Sequence, residues 1–441
     1  METLTRALLP LPAGRIVVGL SGGLDSSVLV HALAASPMAK ERGLRAIHVH
    51  HGLHPHADSW TTHCEHLCAR LHVPLAVMRV DVDRADGRGP EGAARAARLA
   101  AFGAELAHDE ILALAHHRDD QAETVLLRLL RGAGGDGLAA MRRGSRIGVL
   151  RLWRPLLELP RASLRDYATA HALDWINDPS NDETGYDRNF LRLRVLPLLA
   201  ERWPQAVRNL ARSAALLAEQ SQLLATAADA DLDALQVAPN VLAIPGLLAY
   251  PRARRARILR AWLLRLHGQP PPAGILAAIE RDLLRARADG DGQVAWSDIV
   301  VHRWRDGLHA MTPQAPIPAA WSASWDGAAS LALPGGGLLE LSGAERFDDP
   351  VTVTARHGGE RIRLAGREHS HALKHVLQDA GIPPWVRLRM PLLTATDGEL
   401  LAAGETIVSA RMAAWLQARS ARLCWFPSDR HETRGAMPAE S

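Results

Sequence analysis

Two short stretches of this 441-residue chain hold the side chains best suited to chemistry. The first is Ser21-Gly22-Gly23-Leu24-Asp25-Ser26, which follows a β-rich run from Arg15 to Gly19 and precedes an apolar stretch from Val28 to Ala35. Adjacent glycines let the backbone turn tightly and aim its N–H groups at an anion. Ser26 and Ser27 are suited to capping a helix whose N-terminus favours phosphate. A carboxylate at Asp25 would repel phosphate directly, so its expected role is to hold Mg2+, an ion that bridges phosphate oxygens. A Walker-type cradle is excluded, because no G-x-x-x-x-G-K-[ST] occurs and no lysine lies nearby.

The second stretch is His116-His117-Arg118-Asp119-Asp120-Gln121-Ala122-Glu123-Thr124. Capping a helix accounts for one acid at its start but not for two histidines beside two acids. Imidazoles and carboxylates in close company are groups for moving protons. His116 and Asp120 are four apart and share a face if the helix begins early. A third stretch, His48 to His56, invites a metal reading, with His48 and His50 on one face of a strand and His51 opposed. It lacks the H-x-H-x-D-H order that a dinuclear hydrolase needs. Cys64 and Cys68 share an apolar helical face with Trp60, Leu67 and Leu71, which favours core packing over zinc.

The elements that must position these groups alternate. After the Arg15–Gly19 run, strands are expected over Leu44 to Val49, Pro74 to Val82 and Glu110 to Ala115. Helices are expected from about Asp58, over Glu91 to His108, and over Asp119 to Arg131, the last stopped by Gly132-Ala133-Gly134-Gly135. This pattern predicts an α/β fold, a parallel sheet with helices on both faces. Ligands of such sheets bind beyond the carboxyl ends of the strands, where both stretches fall. From about Trp203 the pattern turns helical, over Asn209 to Ala228, Arg252 to Leu266 and Gly274 to Arg287, with a short hairpin within Val294 to His309. Short β runs broken by glycines and prolines follow, as expected of a small α+β domain. The resulting division is a catalytic domain over 1–204, a helical domain over 205–312, a linker over 313–330, an α+β domain over 331–427 and a polar, frayed tail over 428–441.

Composition narrows the class. At 47% hydrophobic and 22% charged residues the chain can bury a core and dissolve. No run approaches the ~18 apolar residues of a membrane helix, and the start lacks the pattern of a secretion signal. Three cysteines fit a reducing cytoplasm rather than a disulfide scaffold. The formal net charge is only +3, yet Lys40 and Lys374 are the sole lysines among 51 basic residues, which leaves 49 arginines. Arginine pairs two phosphate oxygens at once and stacks on bases. Nine arginines fall between Pro245 and Arg287 against Glu280 and Asp282 alone, a local charge of +7. With Ile258, Leu259, Trp262, Leu263 and Leu266 forming one stripe, Arg254 and Arg257 are expected to face RNA phosphates. Val351 to Leu423 carries a milder excess of +4.

The loop at Ser21 resembles the S-G-G-x-D-S loop of the N-type ATP pyrophosphatases, which cleave ATP between the α and β phosphates and adenylate a carbonyl-type oxygen. Three further stretches narrow the resemblance. They are His50-His51-Gly52-Leu53 with Ala57-Asp58-Ser59-Trp60, Ala115 through Thr124, and Asp178-Pro179-Ser180-Asn181 through Tyr186, Arg188, Asn189, Arg192 and Pro197. Together they resemble the long form of the tRNA(isoleucine)-lysidine synthetases, which has two C-terminal domains. The resemblance implies that Ser21, Gly22, Gly23, Leu24, Asp25 and Ser26 bind ATP, and that Asp25, the expected Mg2+ holder, acts with His116 and Asp120 around ATP and the nucleophile. It matches an E-x-x-x-R signature to Glu91 and Arg95, although Leu99 follows Arg98 where an aromatic residue is expected, so Arg95 and Arg98 both stay candidates. Arg188, Asn189 and Arg192, with Arg254 and Arg257, are expected to bind tRNA. The implied partners are an isoleucine tRNA with a CAU anticodon and free L-lysine; the oligomeric state is left open, a homodimer among the options. Two other readings stay open: a tRNA thiolation enzyme with the same adenylation chemistry, disfavoured by the lack of paired C-x-x-C cysteines, and a histidine-rich metallohydrolase of nucleic acid.

Overall fold

The computed structural model describes residues 2–52, 55–81, 89–285, 292–367 and 369–427. Leu53, the side chain of Glu91, Arg287 and the tail expected at 428–441 lie outside the described residues. The chain forms two compact units, Met1–Val237 with Pro245–Leu276, and Ala238–Ile244 with Ala277–Ser441.

The first unit is built on a six-stranded sheet of β1 (Arg15–Gly19), β2 (Arg45–His50), β3 (Leu75–Arg79), β4 (Glu110–Ala113), β5 (Gly144–Ile147) and β6 (Leu150–Trp153), in the order β3-β2-β1-β4-β6-β5. The five strands β3, β2, β1, β4 and β6 run parallel, as expected, and β5 is added at the edge, antiparallel to β6 along its whole length. Gly148 at φ +56° makes the turn between the two strands possible. The apolar run of β1 is buried on both faces, with Ile16, Val17 and Val18 at 0% exposure. Ile16 and Val18 join a core with helices Leu24–Ala34, Ala57–Leu71 and Arg161–Ala170. Val17 points the other way, to Ile47, Phe102, Leu112 and Leu152 under helix Gly89–Glu105. This alternation on a strand with two apolar faces makes the sheet a central layer.

Chain order then creates the site. From β1 the chain passes to β2 on one side, and β4 pairs with β1 on the other, so the strand order reverses at β1. The loops leaving β1 and β4 diverge there and open a crevice at the carboxyl edge. Both chemistry-bearing stretches leave from these two strands.

The helical part expected over 205–312 is divided between the two units. Helix Ala206–Leu235 packs on helices Arg118–Leu130 and Arg252–His267, and so completes the first unit. The stripe expected on the latter is present, with Ile258, Leu259, Trp262 and Leu263 buried.

In the second unit an antiparallel sheet runs Val241–Ala243, Gly307–Met311, Ile299–Trp304, Gln293–Trp296. Another runs Ser322–Trp325, Val351–Thr354, Leu392–Thr394, Leu400–Ala403, Ile407–Val408. The segment 313–330 is therefore not the linker that its prolines suggest. Ser322–Trp325 pairs with Val351–Thr354, and Trp325 is 4% exposed, edge-on to Phe347 at 5.3 Å with its indole N–H donating to the Ala329 carbonyl at 2.7 Å. Trp325→Ala should accordingly cost about 3–5 kcal/mol in chemical denaturation, where a linker position would shift stability by less than ~0.5 kcal/mol.

Candidate active site

The loop after β1 is fixed by its own backbone. Gly22 adopts φ +83° and its carbonyl accepts from the Ile176 N–H at 2.9 Å. A Cβ there would lie 2.5 Å from Ile176 Cδ1 and 3.1 Å from Cys64 Sγ, so both conformation and space demand glycine. The helix begins at Leu24 with Gly23 as N-cap and no side-chain cap. Ser26 and Ser27 thus lie inside the first turn and do not cap it, contrary to expectation. Their hydroxyls brace the loop instead: Ser26 Oγ donates to the Gly23 carbonyl at 3.1 Å and accepts from the Ser21 N–H at 3.2 Å, and Ser27 Oγ donates to the Gly22 carbonyl at 3.3 Å. Ser21 Oγ sits 3.0 Å from Ser26 Oγ. The uncapped turn keeps its leading N–H groups for an anion.

Asp25 stands at the mouth of this loop. Its Oδ2 lies 3.6 Å from His117 Nε2 and its Oδ1 3.8 Å from Arg161 Nε. Oδ1 is buried and has no hydrogen-bond partner. An orphaned carboxylate oxygen beside a phosphate cradle fits Mg2+, which takes one or two carboxylates and completes its shell from phosphates and water.

After β4 the chain turns at His116, and His117 caps helix Arg118–Leu130. The His117 N–H donates to Asp120 Oδ2 at 3.0 Å, and His117 Nε2 lies 3.4 Å from the same oxygen. His116 therefore stands outside the helix, and the shared helical face expected for His116 and Asp120 does not form. The Asp120 charge nevertheless acts on the His116 ring and favours its proton. Burial, with the charges of Arg154, Arg188 and Arg95, outweighs that attraction and pulls the His116 pKa down to about 3. Its Nδ1 is buried without a partner. His117 goes the other way: burial opposes its charge, but Asp25, Asp120 and Asp119 around it raise its pKa. Asp120 is also opposed by burial, yet His117, Arg188 and His116 hold its pKa below the ordinary carboxylate range.

Arg188 and Arg192 complete the cluster. Glu123 has no exposed surface and accepts from Arg188 Nε at 2.7 Å and Arg192 Nε at 2.6 Å. The same two guanidinium groups reach Asp120 Oδ1 at 3.5 and 3.3 Å. Asn189, between them, donates to the Ser180 and Glu183 carbonyls at 2.8 and 3.0 Å and so shapes the loop before it. The charge of Arg95 acts on His116, whereas that of Arg98 acts on His51. Arg254 and Arg257 are not part of this cluster. Arg254 is paired with Asp231 at 2.7 Å and Arg257 with Asp136 at 2.8 Å. Arg265 pairs with Asp233 at 2.7 Å, so acids from other elements offset the local excess read from the sequence.

Glu123, His117 and Arg161 were not singled out by the sequence reading. Glu123 and His117 stood inside the recognised motif, whereas Arg161 carries no motif at all. The histidine-rich stretch is used structurally: His48 Nδ1 lies 2.9 Å from the Leu20 carbonyl and 3.5 Å from Cys64 Sγ, and His50 Nε2 lies 3.2 Å from Asp58. Among the described residues no three His, Cys, Asp or Glu side chains are grouped to hold a metal. Burial pushes the Cys64 and Cys68 thiols up to about 12 and about 11.

A braced glycine loop after the central strand, facing a histidine and carboxylate cluster across the sheet's switch point, is the signature of a PP-loop protein that uses ATP, and a family model described as a PP-loop domain matches residues 1–199. Models described as the TilS substrate binding domain and the TilS substrate C-terminal domain match residues 242–309 and 351–425. The chain is 51% identical over 433 residues to a tRNA(Ile)-lysidine synthase of Xanthomonas campestris pv. campestris, covering 97% of each. A namesake from Xylella fastidiosa is 50% identical over 424 residues, with 95% of this chain and 96% of that one covered, and one from Methylococcus capsulatus is 40% identical over 407 residues, with 89% and 92% covered. The chain belongs to the tRNA(Ile)-lysidine synthase family. No helix among the described residues is long and apolar enough to cross a membrane.

The two histidines give opposite pH signatures. Between about pH 6.5, where a histidine in the unfolded chain gains its proton, and about 3, where His116 does so when folded, acid favours unfolding. His117, with a raised pKa, contributes stability that is full below about 6.5 and lost as pH rises through its folded value. Urea midpoints across pH 5 to 9 should therefore show a shallower acid slope in His116→Asn, and a deficit in His117→Asn that shrinks on the alkaline side.

Proposed function

We propose that this chain joins the ε-amine of free L-lysine to C2 of the wobble cytidine in the CAU anticodon of an isoleucine tRNA. The observation that carries this reading is the meeting of the Ser21–Ser26 loop, Asp25 and the His116–Asp120 turn at one sheet edge, in a chain of this family. The backbone of the loop receives the phosphates of ATP, and Asp25 is the residue that would hold Mg2+. The ion, when bound, neutralises phosphate charge. The C2 oxygen of cytidine attacks the α-phosphorus, and pyrophosphate leaves with the electron pair of the broken bond. The lysine amine then attacks C2, gives up a proton, and AMP departs.

The base for that proton is His116. The Asp120 oxygens are already occupied by His117, Arg188 and Arg192, whereas His116 is neutral and its Nδ1 has no partner. Its pKa of about 3 is set first by burial and then by the positive charge of three arginines. Incoming phosphates offset that charge and make the ring more basic. The reaction takes place in the cytoplasm. A thiolation reading is disfavoured, because Cys64 and Cys68 are buried and protonated.

With ATP and Mg2+, labelled lysine should enter a CAU-anticodon isoleucine tRNA and not a methionine tRNA. Cleavage of ATP to AMP without incorporation would keep the adenylation and require another nucleophile. Asp25→Ala should abolish AMP formation. Arg257→Ala should leave chemistry at saturating tRNA intact; a guanidinium that leaves Asp136 for a tRNA phosphate would show as a higher tRNA requirement and a salt slope lowered by about one, and an unchanged slope would leave the Asp136 pair as its role.

A further inference from the structure

Beside Asp25 lies an arginine that neither the motif nor the family match assigns. Arg161 opens the helix Arg161–Ala170, and its backbone N–H donates to Asp119 Oδ2 at 3.0 Å. One step earlier in the chain, the Arg118 N–H donates to the Leu159 carbonyl at 2.9 Å and the Arg118 guanidinium to the Glu158 carbonyl at 3.0 Å. The start of this helix is thus stapled to the turn after β4, and the staple delivers the Arg161 guanidinium to the loop after β1. There Arg161 Nε faces Asp25 Oδ1 across 3.8 Å, too far for a hydrogen bond. Both atoms are buried and neither has a partner. Arg161 Nε is thus an unspent donor at the mouth of the phosphate loop, placed to give its N–H to an anionic oxygen bound there.

The other cations near Asp25 are committed. Arg188 and Arg192 hold Glu123 and Asp120, and His117 lies between Asp25 and Asp120. The loop itself contains no basic residue. We propose that Arg161 binds the pyrophosphate half of ATP and meets the charge that develops on it as it leaves. This rests on the reaction proposed above. When the cytidine oxygen bonds to the α-phosphorus, the bond to the bridging oxygen breaks, its electron pair goes to pyrophosphate, and a guanidinium fork matches two of that group's oxygens. Arg161 is therefore a catalytic residue for the first half-reaction and has no part in the attack of lysine.

The test uses the full chain with tRNA, ATP and lysine. Arg161→Gln should lower kcat/KM for ATP by about 100-fold and weaken inhibition by added pyrophosphate at least tenfold, with KM for lysine and the melting temperature little changed. Arg161→Lys keeps the charge but loses the fork, and should fall between the two. Unchanged ATP kinetics and unchanged pyrophosphate inhibition in a folded Arg161→Gln would overturn the proposal, as would an effect confined to KM for lysine. If Arg161→Gln does not fold, the same measurements on Arg161→Lys decide, since a wild-type pyrophosphate inhibition constant there rules out a fork. Calorimetric binding of Mg2+-pyrophosphate to wild type and variant reads this site without turnover. Equal affinity sinks the Arg161 assignment even if lysidine is made, and weaker binding by the variant supports it even if the wild type fails to incorporate lysine.

Discussion

A carboxylate removed entirely from water organises the active edge of this protein. Glu123 has no exposed surface, and leaving its charge there alone would cost several kcal/mol. Two arginines offset that cost, and both come from the same short segment, four residues apart, so that a single turn presents both forks to one acid. Because Glu123 lies on the helix that leaves β4, the pairing ties the segment around 187–195 to the catalytic turn. Asp120, one turn earlier, shares the same guanidinium groups and is thereby aimed at His117, which in turn faces Asp25. The chain of contacts from Glu123 to the glycine loop is continuous, and it begins with a buried charge held by two arginines.

Charges in this site act on each other in opposite senses at adjacent residues. His116 and His117 are neighbours on one turn, yet one is held neutral by burial and arginines while the other is drawn towards its charged form by three carboxylates. Separation of this kind leaves the first ring open to receive a proton while the second is held among the acids that orient it. It follows from which way each ring points as the chain leaves β4, since the first ring meets Asp120 with arginine charge around it and the second lies among acids.

Much of this was legible in the sequence, and the exceptions share one cause. The sheet was readable because β1, β2 and β4 are apolar on both faces, and the loop because only glycine satisfies its turn. Strands β5 and β6 were missed because Arg146, Gly148 and Arg151 interrupt the apolar pattern of an edge hairpin. The prolines before Trp325 read as a linker because the strand that covers this residue lies further along the chain. Arginines of helix Arg252–His267 looked unopposed because their acids sit elsewhere, with Asp136 separated from Arg257 by 121 positions. Glu123 hid for the same reason, its arginines being 65 and 69 positions away. Local pattern reveals what a residue can do; partners distant in sequence decide what it does.

The wall behind the glycine loop has a consequence for how the protein meets its surroundings. Cys64 touches the space that a side chain at Gly22 would need, and its thiol, like that of Cys68, is held protonated far above neutral pH. Burial, which pushes its pKa up to about 12, holds Cys64 as the thiol at neutrality. Peroxide, disulfides and alkylating agents react with the thiolate, so the support of the nucleotide loop is chemically silent towards them. The packing behind the loop is in this way set apart from thiol chemistry that would otherwise alter it.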